Sequence, residues 1–348
     1  MAEKTPINYK DAGVNIDAQD EALSRSKQAI RESFTPGVMG DVGSFGGLFD
    51  LAKVGSSGDI LVASADGVGT KLEVAKMAGI HHTVGRDLVQ HCINDILVQG
   101  ARPLFFMDYV GTGALDPTVV SDLIRGCAEA CRDNGLALLG GETAEMPGLY
   151  AAGDFDLVGF IVGSVPREQL LDGSRVRPGQ KLIGLASDGL HTNGYSLARQ
   201  VVFKRLGLTV HDKPAALGGE TTVGEALLAP HRSYLKPVMP LLEQGRVAAL
   251  AHITGGGLLD NLPRVLGDHD AFIDRGAWQR PALFQWLCDE ACIDDSEAYR
   301  VFNMGIGLVL LVDGDQCDTV KAHLVEAGET VYDLGEVREG TGRVQWLD

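Results

Sequence analysis

Five segments of this chain share one design, in which an apolar run ends and a glycine-rich turn with polar residues follows or precedes it. The segments are GDVGSFGGLF (40–49), SADGVGTKL (64–72), LLGGETAEMP (138–147), ASDGLHTNGYS (186–196) and HITGGGLLDN (252–261). Glycines at such turns let backbone N–H groups approach a phosphate, and a helix that begins there adds partial positive charge. One such turn is usually only a turn, but five in a chain with 45 glycines favour a phosphate-bearing ligand. None matches a Walker A loop or a GxGxxG fingerprint.

The charge and the apolar runs of the chain exclude two classes of partner. Acidic residues outnumber basic ones by 47 to 30, a formal net charge of −17, and no basic run is present to neutralise nucleic-acid phosphates. The longest apolar stretches, such as 306–312, are much shorter than the roughly 18 residues of a membrane-spanning helix. The opening MAEKTPINYKDAG lacks the pattern of a secretory signal. We therefore expect a soluble, cytoplasmic protein with no nucleic-acid partner and no membrane association.

The six cysteines lie mostly in apolar surroundings. Cys127 and Cys131, and likewise Cys288 and Cys292, are four residues apart and could present two thiolates on one helical face. Structural zinc sites favour tighter ligand spacings on turns. Free buried thiols in a reducing compartment are therefore the favoured interpretation, and a four-cysteine zinc site is the alternative.

The chain is longer than one domain core usually encloses, so we expect two domains. The polar segment 165–180 has turn residues on both sides, which predicts domains 1–170 and 171–348. The predicted strands are 60–65, 104–110, 137–139, 157–165, 181–186, 249–253 and 307–312. The predicted helices are 17–34, 72–77, 87–99, 119–134, 195–206, 226–242 and 258–266. Helices and strands mix in both halves, which predicts an α/β (or α+β) fold.

The helix predicted at 87–99 carries a stripe of short polar side chains. Asp87, His91, Asn94 and Asp95 recur at i, i+4, i+7 and i+8, so they lie on one face. Surface stripes usually contain Lys and Glu, whereas these shorter side chains suit fixed coordination or hydrogen bonding. Oxygen ligands are those that Mg²⁺ takes. We predict that Asp66 and Asp95 hold the metal, with Asp87 as the reserve.

Other polar residues of the glycine turns are open to two interpretations each. Lys71 supplies either a mobile charge for a phosphate or an ordinary solvent-facing lysine. Asn193 is either a ligand-positioning residue or a helix N-cap. His191, in a polar loop, is expected to hydrogen-bond substrate or to take part in proton transfer. Glu142 and Thr143 follow two glycines at a predicted strand end and are further candidates.

The chain resembles the AIR synthetase family, the phosphoribosylformylglycinamidine cyclo-ligases, along nearly its full length. The matching stretches include PGVMGDVGSFGGLFDL, DGVGTKLEVA, CINDILVQGARPLFFMDY, GGETAEMPGLY, GLHTNGYSLAR, LLAPHRSYLKPV and AHITGGGLLDNLPRVL. Their number and order make the resemblance highly specific.

This resemblance implies a two-domain fold, in which the N-terminal sheets of two subunits form a barrel across a homodimer. It implies a C-terminal mixed sheet with flanking helices. It also implies that ATP and Mg²⁺ are required. The reaction it implies converts formylglycinamidine ribonucleotide (FGAM) and ATP to aminoimidazole ribonucleotide (AIR), ADP and phosphate through an iminophosphate.

The resemblance further implies that ATP binds at the glycine-rich arm near 40–47 and at the DGVGTK turn. With the residues singled out above, the candidate cofactor-binding set is Gly43, Gly46, Gly47, Asp66, Gly67, Gly69, Thr70, Lys71, Asp87, Asn94, Glu142, Thr143 and Asn193. The candidate catalytic residues are His191 and Lys71, and the candidate metal ligands are Asp66 and Asp95.

Two stretches depart from the pattern of the family. Arg86, Gln90 and His91 stand where more apolar residues are expected, so His91 is left out of the catalytic set. The sequence Asp188-Gly-Leu precedes His191 where Ser-Gly-Pro is more usual.

Two rival functions remain to be weighed. The first is another ATP-using enzyme of the superfamily, such as selenophosphate synthetase or thiamine-monophosphate kinase. The former would call for a reactive cysteine near the N-terminus, and no cysteine precedes Cys92. The second is a catalytically silent homologue, which would be expected to lack some of the candidate site residues. All of these are present: Asp66, Lys71, Asp95, Glu142 and His191.

Overall fold

A computed structural model describes residues 8, 31–32, 35–39, 47–54 and 58–347 of the chain. The helix predicted at 17–34 falls almost entirely outside these residues, as do Gly43 and Gly46.

The N-terminal half forms a six-stranded sheet covered on one face by helices. Its strands are β1 (Val38–Met39), β2 (Gly47–Asp50), β3 (Ile60–Gly67), β4 (Arg102–Thr112), β5 (Ala137–Glu145) and β6 (Phe155–Val165), in the order β1-β2-β3-β6-β4-β5. All neighbours are antiparallel except β4 and β5. The helices are α1 (Lys71–Ala78), α2 (His82–Leu97) and α3 (Pro117–Asn134).

The C-terminal half forms a second, mostly antiparallel six-stranded sheet. Its strands are β7 (Lys181–Ala186), β8 (Ala249–His252), β9 (His269–Asp274), β10 (Ile306–Val312), β11 (Val331–Glu339) and β12 (Val344–Leu347), in the order β12-β9-β11-β7-β10-β8. Its helices are α4 (Tyr195–Arg199), α5 (Val223–Leu227), α6 (Leu235–Glu243), α7 (Gly257–Asn261), α8 (Pro263–Leu266), α9 (Ala282–Ala291), α10 (Asp295–Val301) and α11 (Cys317–Glu326). A π-helical turn, Gln200–Arg205, extends α4. The mixed α/β class predicted from the sequence is confirmed.

Helix α2 lies directly on β6 because that strand has glycines beneath the helix. A Cβ atom at Gly159 would lie 2.9 Å from the side chain of Leu88, and one at Gly163 would lie 2.7 Å from that of Ile96. Both apolar side chains are fully buried. This close packing turns the opposite, polar face of α2 toward the C-terminal half.

The helix predicted at 87–99 begins earlier, at His82. Three other predicted elements differ in type or continuity from those observed. Strand β5 runs to Glu145 rather than ending at 139, so the GGET segment is strand and not a turn. The helix predicted at 226–242 is two helices, α5 and α6, separated by a loop that contains Pro230. The helix predicted at 258–266 divides before Pro263, which lacks the N–H that would continue the hydrogen-bond ladder.

Among the described residues, no helix is long and apolar enough to span a membrane. The six cysteines are free, and five of them are buried.

Candidate active site at the boundary between the two halves

The polar stripe of α2 is buried and holds a loop of the C-terminal half. The Asp87 carboxylate accepts a hydrogen bond from the backbone N–H of His231 at 2.6 Å. The Asn94 amide donates to the carbonyl of Arg232 at 2.8 Å and accepts from the N–H of Tyr234 at 3.0 Å. A buried amide that both donates and accepts fixes the register of the loop against the helix. Asp87 and Asn94 therefore position the loop, which explains why short polar residues recur on this face.

Lys71 is not a mobile cation in this structure. Its ammonium lies 2.7 Å from the Asp87 carboxylate and donates to the carbonyls of Ala229 at 2.8 Å and His191 at 3.1 Å. Burial lowers the pKa of Lys71 and raises that of Asp87, and their mutual attraction opposes both shifts. The expectation of a solvent-facing lysine is thus wrong. The phosphate contact predicted for Lys71 has no support in this arrangement, because all three N–H groups have partners.

The predicted metal pair, Asp66 and Asp95, lies close together with a histidine between its members. His91 Nε2 is 2.6 Å from Asp66 Oδ2 and 3.5 Å from Asp95 Oδ2. The hydroxyl of Ser64 donates to Asp95 Oδ2 at 3.2 Å, and Asp95 Oδ1 is 2.8 Å from His252 Nδ1. Asp95 is buried, whereas the Asp66 side chain is 41% exposed. Asp66 therefore lies at the solvent-accessible end of β3, and Asp95 lies within the boundary between the halves.

The charges in this cluster stabilise one another. Burial alone would lower the pKa of His91, but Asp66 and Asp95 outweigh it and raise that pKa well above its usual value. Burial would likewise raise the pKa of Asp95, yet the charge of His91 and a hydrogen bond from His252 hold it well below its usual range. Asp66 shifts in the same direction because of His91. The cluster therefore favours a protonated His91 beside two ionised carboxylates.

His191 adopts a backbone conformation that is rare outside glycine, with φ of 60°. Its Nε2 accepts weak hydrogen bonds from the N–H groups of Asp188 at 3.3 Å and Arg232 at 3.5 Å. Its ring stacks on His231 with 3.9 Å between centroids. Burial is the main cause that lowers its pKa well below the usual value, and the nearby Lys71 ammonium acts in the same direction. Buried Nδ1 has no hydrogen-bond partner among the residues described, so a neutral ring would have one N–H to offer a ligand.

Three glycine turns meet beside this cluster. The hydroxyl of Thr70 is 3.1 Å from that of Ser196, which joins the 67–70 turn to the 191–196 turn. A Cβ atom at Gly255 would lie 3.2 Å from Asn193 Oδ1, so the 254–257 turn also reaches this point. The N-cap position of α4 belongs to Gly194, which rules out the capping interpretation of Asn193.

Comparison with known proteins identifies the family. The chain matches the models of the AIR synthase related protein N-terminal domain over 47–165 and C-terminal domain over 177–347. It is 48% identical to the phosphoribosylformylglycinamidine cyclo-ligase of Trichlorobacter lovleyi, over 96% of each chain. It is 50% identical to that of Sorangium cellulosum, over 95% of each.

The chain belongs to the phosphoribosylformylglycinamidine cyclo-ligase family. It is a ligase of purine biosynthesis, as its sequence predicts. The thiamine-monophosphate kinase of Stenotrophomonas maltophilia shares the fold, with a TM-score of 0.64 over 93% of this chain and 95% of that one. At 17% identity, that likeness shows the fold alone.

Glu142 and Thr143, two of the candidate site residues, lie apart from the Asp66/Asp95 cluster within one chain. Across the sheet, Asp66 pairs with Gly159, Gly159 with Asp108, and Asp108 with Gly141. Three strand spacings, about 14 Å in all, therefore separate Asp66 from Gly141. Glu142 follows Gly141 and therefore points to the opposite face from Asp66. Thr143 lies next to it on the edge strand β5.

Several residues beside this candidate site were not predicted from the sequence. His231 and Arg232 lie in the α5–α6 loop, and His252 ends β8. Arg232 pairs with Asp188 at 3.0 Å, so the unusual Asp188 has a charged partner in the fold. A groove of about 350 Å³ is lined by residues from both halves, including Gln90, Asp188, His231 and Arg232. From the sequence, only the glycine turn next to His252 was singled out. His252 itself was missed because its partner Asp95 is 157 residues away along the chain.

Proposed function

We propose that this enzyme closes the imidazole ring of AIR from FGAM and ATP at the boundary between its two halves, beside Asp66. One observation carries the location: a partly exposed carboxylate at the end of β3 adjoins a buried carboxylate and three glycine turns. Carboxylates suit Mg²⁺, and backbone N–H groups of glycine turns suit phosphates.

The chemistry requires an amide oxygen to become a leaving group. The γ-phosphoryl group of ATP is transferred to the formyl oxygen of FGAM, which gives ADP and an iminophosphate. The amidine nitrogen then attacks the same carbon, and the C–O bond to phosphate breaks as the ring closes. Phosphoryl transfer chiefly requires positioning and neutralisation of charge, and the intramolecular closure requires a fixed reactive geometry.

Asp66 and Asp95 fit a role as Mg²⁺ ligands. With His91 they offer three ligand atoms that lie within 4.8 Å of one another. Bound Mg²⁺ would supply charge neutralisation for the phosphates of ATP. Asp95 is held in place by Ser64 and His252, so its carboxylate is fixed before any ligand arrives.

His191 is proposed to orient the reacting amide through its ring N–H, and Asn193 to position the ligand. Gly67, Gly69 and Thr70 would bind phosphate oxygens. Lys71 acts here as a positioning residue, because its hydrogen bonds hold the backbone of His191 and Ala229 rather than a ligand.

A homodimer is proposed from the open face of the N-terminal sheet. Phe160 and Met107 lie side by side on the face opposite α2 and are 43% and 40% exposed. Leu104, on the same strand as Met107, and Leu139, on the adjoining β5, are also exposed. Exposed apolar side chains on an open sheet face are typical of an interface, here with a second copy. The five buried free cysteines fit a cytoplasmic, reducing location.

The activity test measures ADP release with Mg²⁺ and ATP, with and without FGAM, and detects the aminoimidazole product colorimetrically. ADP and imidazole in equal amounts, both dependent on FGAM, would support the proposal. ADP without imidazole would indicate a kinase-like reaction and contradict it. Absence of ATP turnover in folded protein would favour the catalytically silent homologue.

A further inference from the structure

Three histidines beside the Asp66/Asp95 pair converge at the boundary between the halves. His91 comes from α2, His231 from the α5–α6 loop and His252 from the end of β8. All three are buried, and one ring nitrogen of each lies within 4.8 Å of a ring nitrogen of the others.

The spacing of the three rings is that of ligands around a single ion. The ring centroids form a nearly equilateral triangle, with separations of 5.1, 5.2 and 5.2 Å. Imidazoles bound to a tetrahedral Zn²⁺ through nitrogens at about 2.05 Å have centroids about 5.2 Å apart.

The hydrogen bonds of two rings leave two lone pairs facing each other. His252 Nδ1 faces the Asp95 carboxylate at 2.8 Å, and His231 Nδ1 faces the carbonyl of Arg232 at 3.1 Å. Both oxygens only accept, so each Nδ1 carries the proton of a neutral ring and each Nε2 carries a lone pair.

Those two Nε2 atoms are 3.3 Å apart. Two neutral acceptors at that distance repel each other unless a cation lies between them. Two nitrogens on one tetrahedral Zn²⁺ are separated by about 3.3 Å. The separation therefore suits a shared metal ion better than a hydrogen bond.

We propose that His91, His231 and His252 form a binding site for a transition-metal ion of the Zn²⁺ class, which joins the two halves of the chain. Imidazole nitrogens select such ions, whereas Mg²⁺ prefers oxygen, so this site differs in chemistry from the Asp66/Asp95 pair. The Asp95–His252 hydrogen bond is the carboxylate–histidine support that metal-bound histidines usually have.

His91 is the third ligand and has to lose its proton when the ion binds. Whichever ring nitrogen binds, the other keeps a partner: the Thr192 hydroxyl is 2.7 Å from Nδ1, and the Asp66 carboxylate is 2.6 Å from Nε2.

The test uses untagged full-length protein, stripped with a chelator and then titrated with Zn²⁺ or Co²⁺. We expect one tightly bound Zn²⁺ per chain, retained in an approximately hundredfold excess of Mg²⁺, and the strong visible absorption of four-coordinate Co²⁺. The variants His91→Gln, His231→Gln and His252→Gln should each weaken Zn²⁺ binding by about 100-fold or more. His211→Gln, at an exposed histidine elsewhere, should leave it unchanged.

Zn²⁺ should also raise the melting temperature of the stripped wild type and the His211→Gln protein, but not that of the three ligand variants. Substoichiometric binding to the wild type, or Zn²⁺ affinity that survives in any folded ligand variant, would overturn the proposal. Because the three substitutions lie on separate elements, failure of one variant to fold leaves the other two decisive. A wild-type protein that binds Zn²⁺ but shows no Mg²⁺-ATP turnover would count against the proposed function and not against the metal site.

Discussion

The ammonium of Lys71 lies 2.7 Å from the carboxylate of Asp87, and neither side chain is exposed. The pair connects the first residue of α1 with the first third of α2, and the remaining N–H groups of Lys71 hold two carbonyls of the C-terminal half. Through these contacts the pair joins α1, α2 and the C-terminal half, so removal of one partner would leave a buried charge uncompensated.

Replacing Lys71 should therefore destabilise the fold rather than only weaken phosphate binding. Lys71→Met leaves Asp87 charged, buried and unpaired, which costs roughly 3–5 kcal/mol of unfolding free energy. The double variant Lys71→Met/Asp87→Leu should recover part of that loss, because no unpaired charge remains. Urea unfolding of the two single variants and the double variant measures this coupling. A Lys71→Met protein of wild-type stability with a raised KM for ATP would instead restore the phosphate role predicted from the sequence.

Asp66→Asn should abolish Mg²⁺-ATP turnover while the fold is retained, because Asp66 is the more exposed carboxylate of the pair. Steady-state ADP release measures the loss, and near-ultraviolet circular dichroism checks the fold. Asp59→Asn, at an exposed carboxylate just before β3, is the matched control and should keep wild-type rates. Wild-type activity in Asp66→Asn would remove Asp66 from the metal site.

His191→Asn should lower kcat by about 100-fold or more, the effect of losing a positioned acid–base or hydrogen-bonding group. Asparagine tolerates the positive φ at this position, so the backbone should be preserved. His211→Asn, at the exposed histidine, serves as the control. Equal kcat in the two variants would show that the ring of His191 takes no part in the reaction.

If the proposed homodimer forms, Phe160→Asp should convert it to a monomer, because the substitution places a charge on the exposed apolar face of the sheet. Val325→Asp is the control, since Val325 is 60% exposed on α11, remote from that face. Light scattering after size-exclusion chromatography gives the mass of each. A dimeric Phe160→Asp protein would place the interface elsewhere.

Acid should weaken the attachment of the C-terminal strand through Asp270. Hydrogen bonds from the N–H groups of Thr341 and Arg343 lower the pKa of Asp270. Because the folded pKa lies below the unfolded one, the stabilisation is present above about pH 4 and is lost as the pH falls through the folded pKa. Asp270→Asn should thus lower the melting temperature at neutral pH.

The melting temperatures of Asp270→Asn and the wild type should converge as the pH falls further. Asp268→Asn, at an exposed neighbour, should match the wild type at every pH. A constant difference between Asp270→Asn and the wild type down to the lowest pH would contradict the assignment.

Sequence patterns predicted the N-terminal half more closely than the C-terminal half. The helix predicted at 119–134 is Pro117–Asn134, because Asp116 caps it and Gly135 ends it, both of which are local signals. The region from 269 to 301 contains a strand and two helices that no prediction covered. These elements are short. The positions of their apolar residues follow the packing between sheet and helices and not a regular period, so periodicity did not predict them.

The site shows the same limit. Asp66 and Asp95, which the sequence pairs as metal ligands, lie close together in the structure, and their role as metal ligands stays a prediction. The burial of Lys71 was not predicted, since its partners His191 and Ala229 are 120 and 158 residues away. Spacing along the sequence cannot distinguish a lysine facing solvent from one facing another half of the molecule.

The polar face of α2 is occupied by the other half of the molecule, and this restricts how a nucleotide can enter. Rotation or translation of the helix about its axis would break hydrogen bonds at Asp87 and Asn94 together, so the helix is a fixed wall. The glycine turns at the edge of the site differ from the helix, because glycine can change φ without steric penalty. We therefore expect substrate to enter the proposed site through small backbone rotations at these turns, while the contacts of Asp87 and Asn94 hold the two halves together.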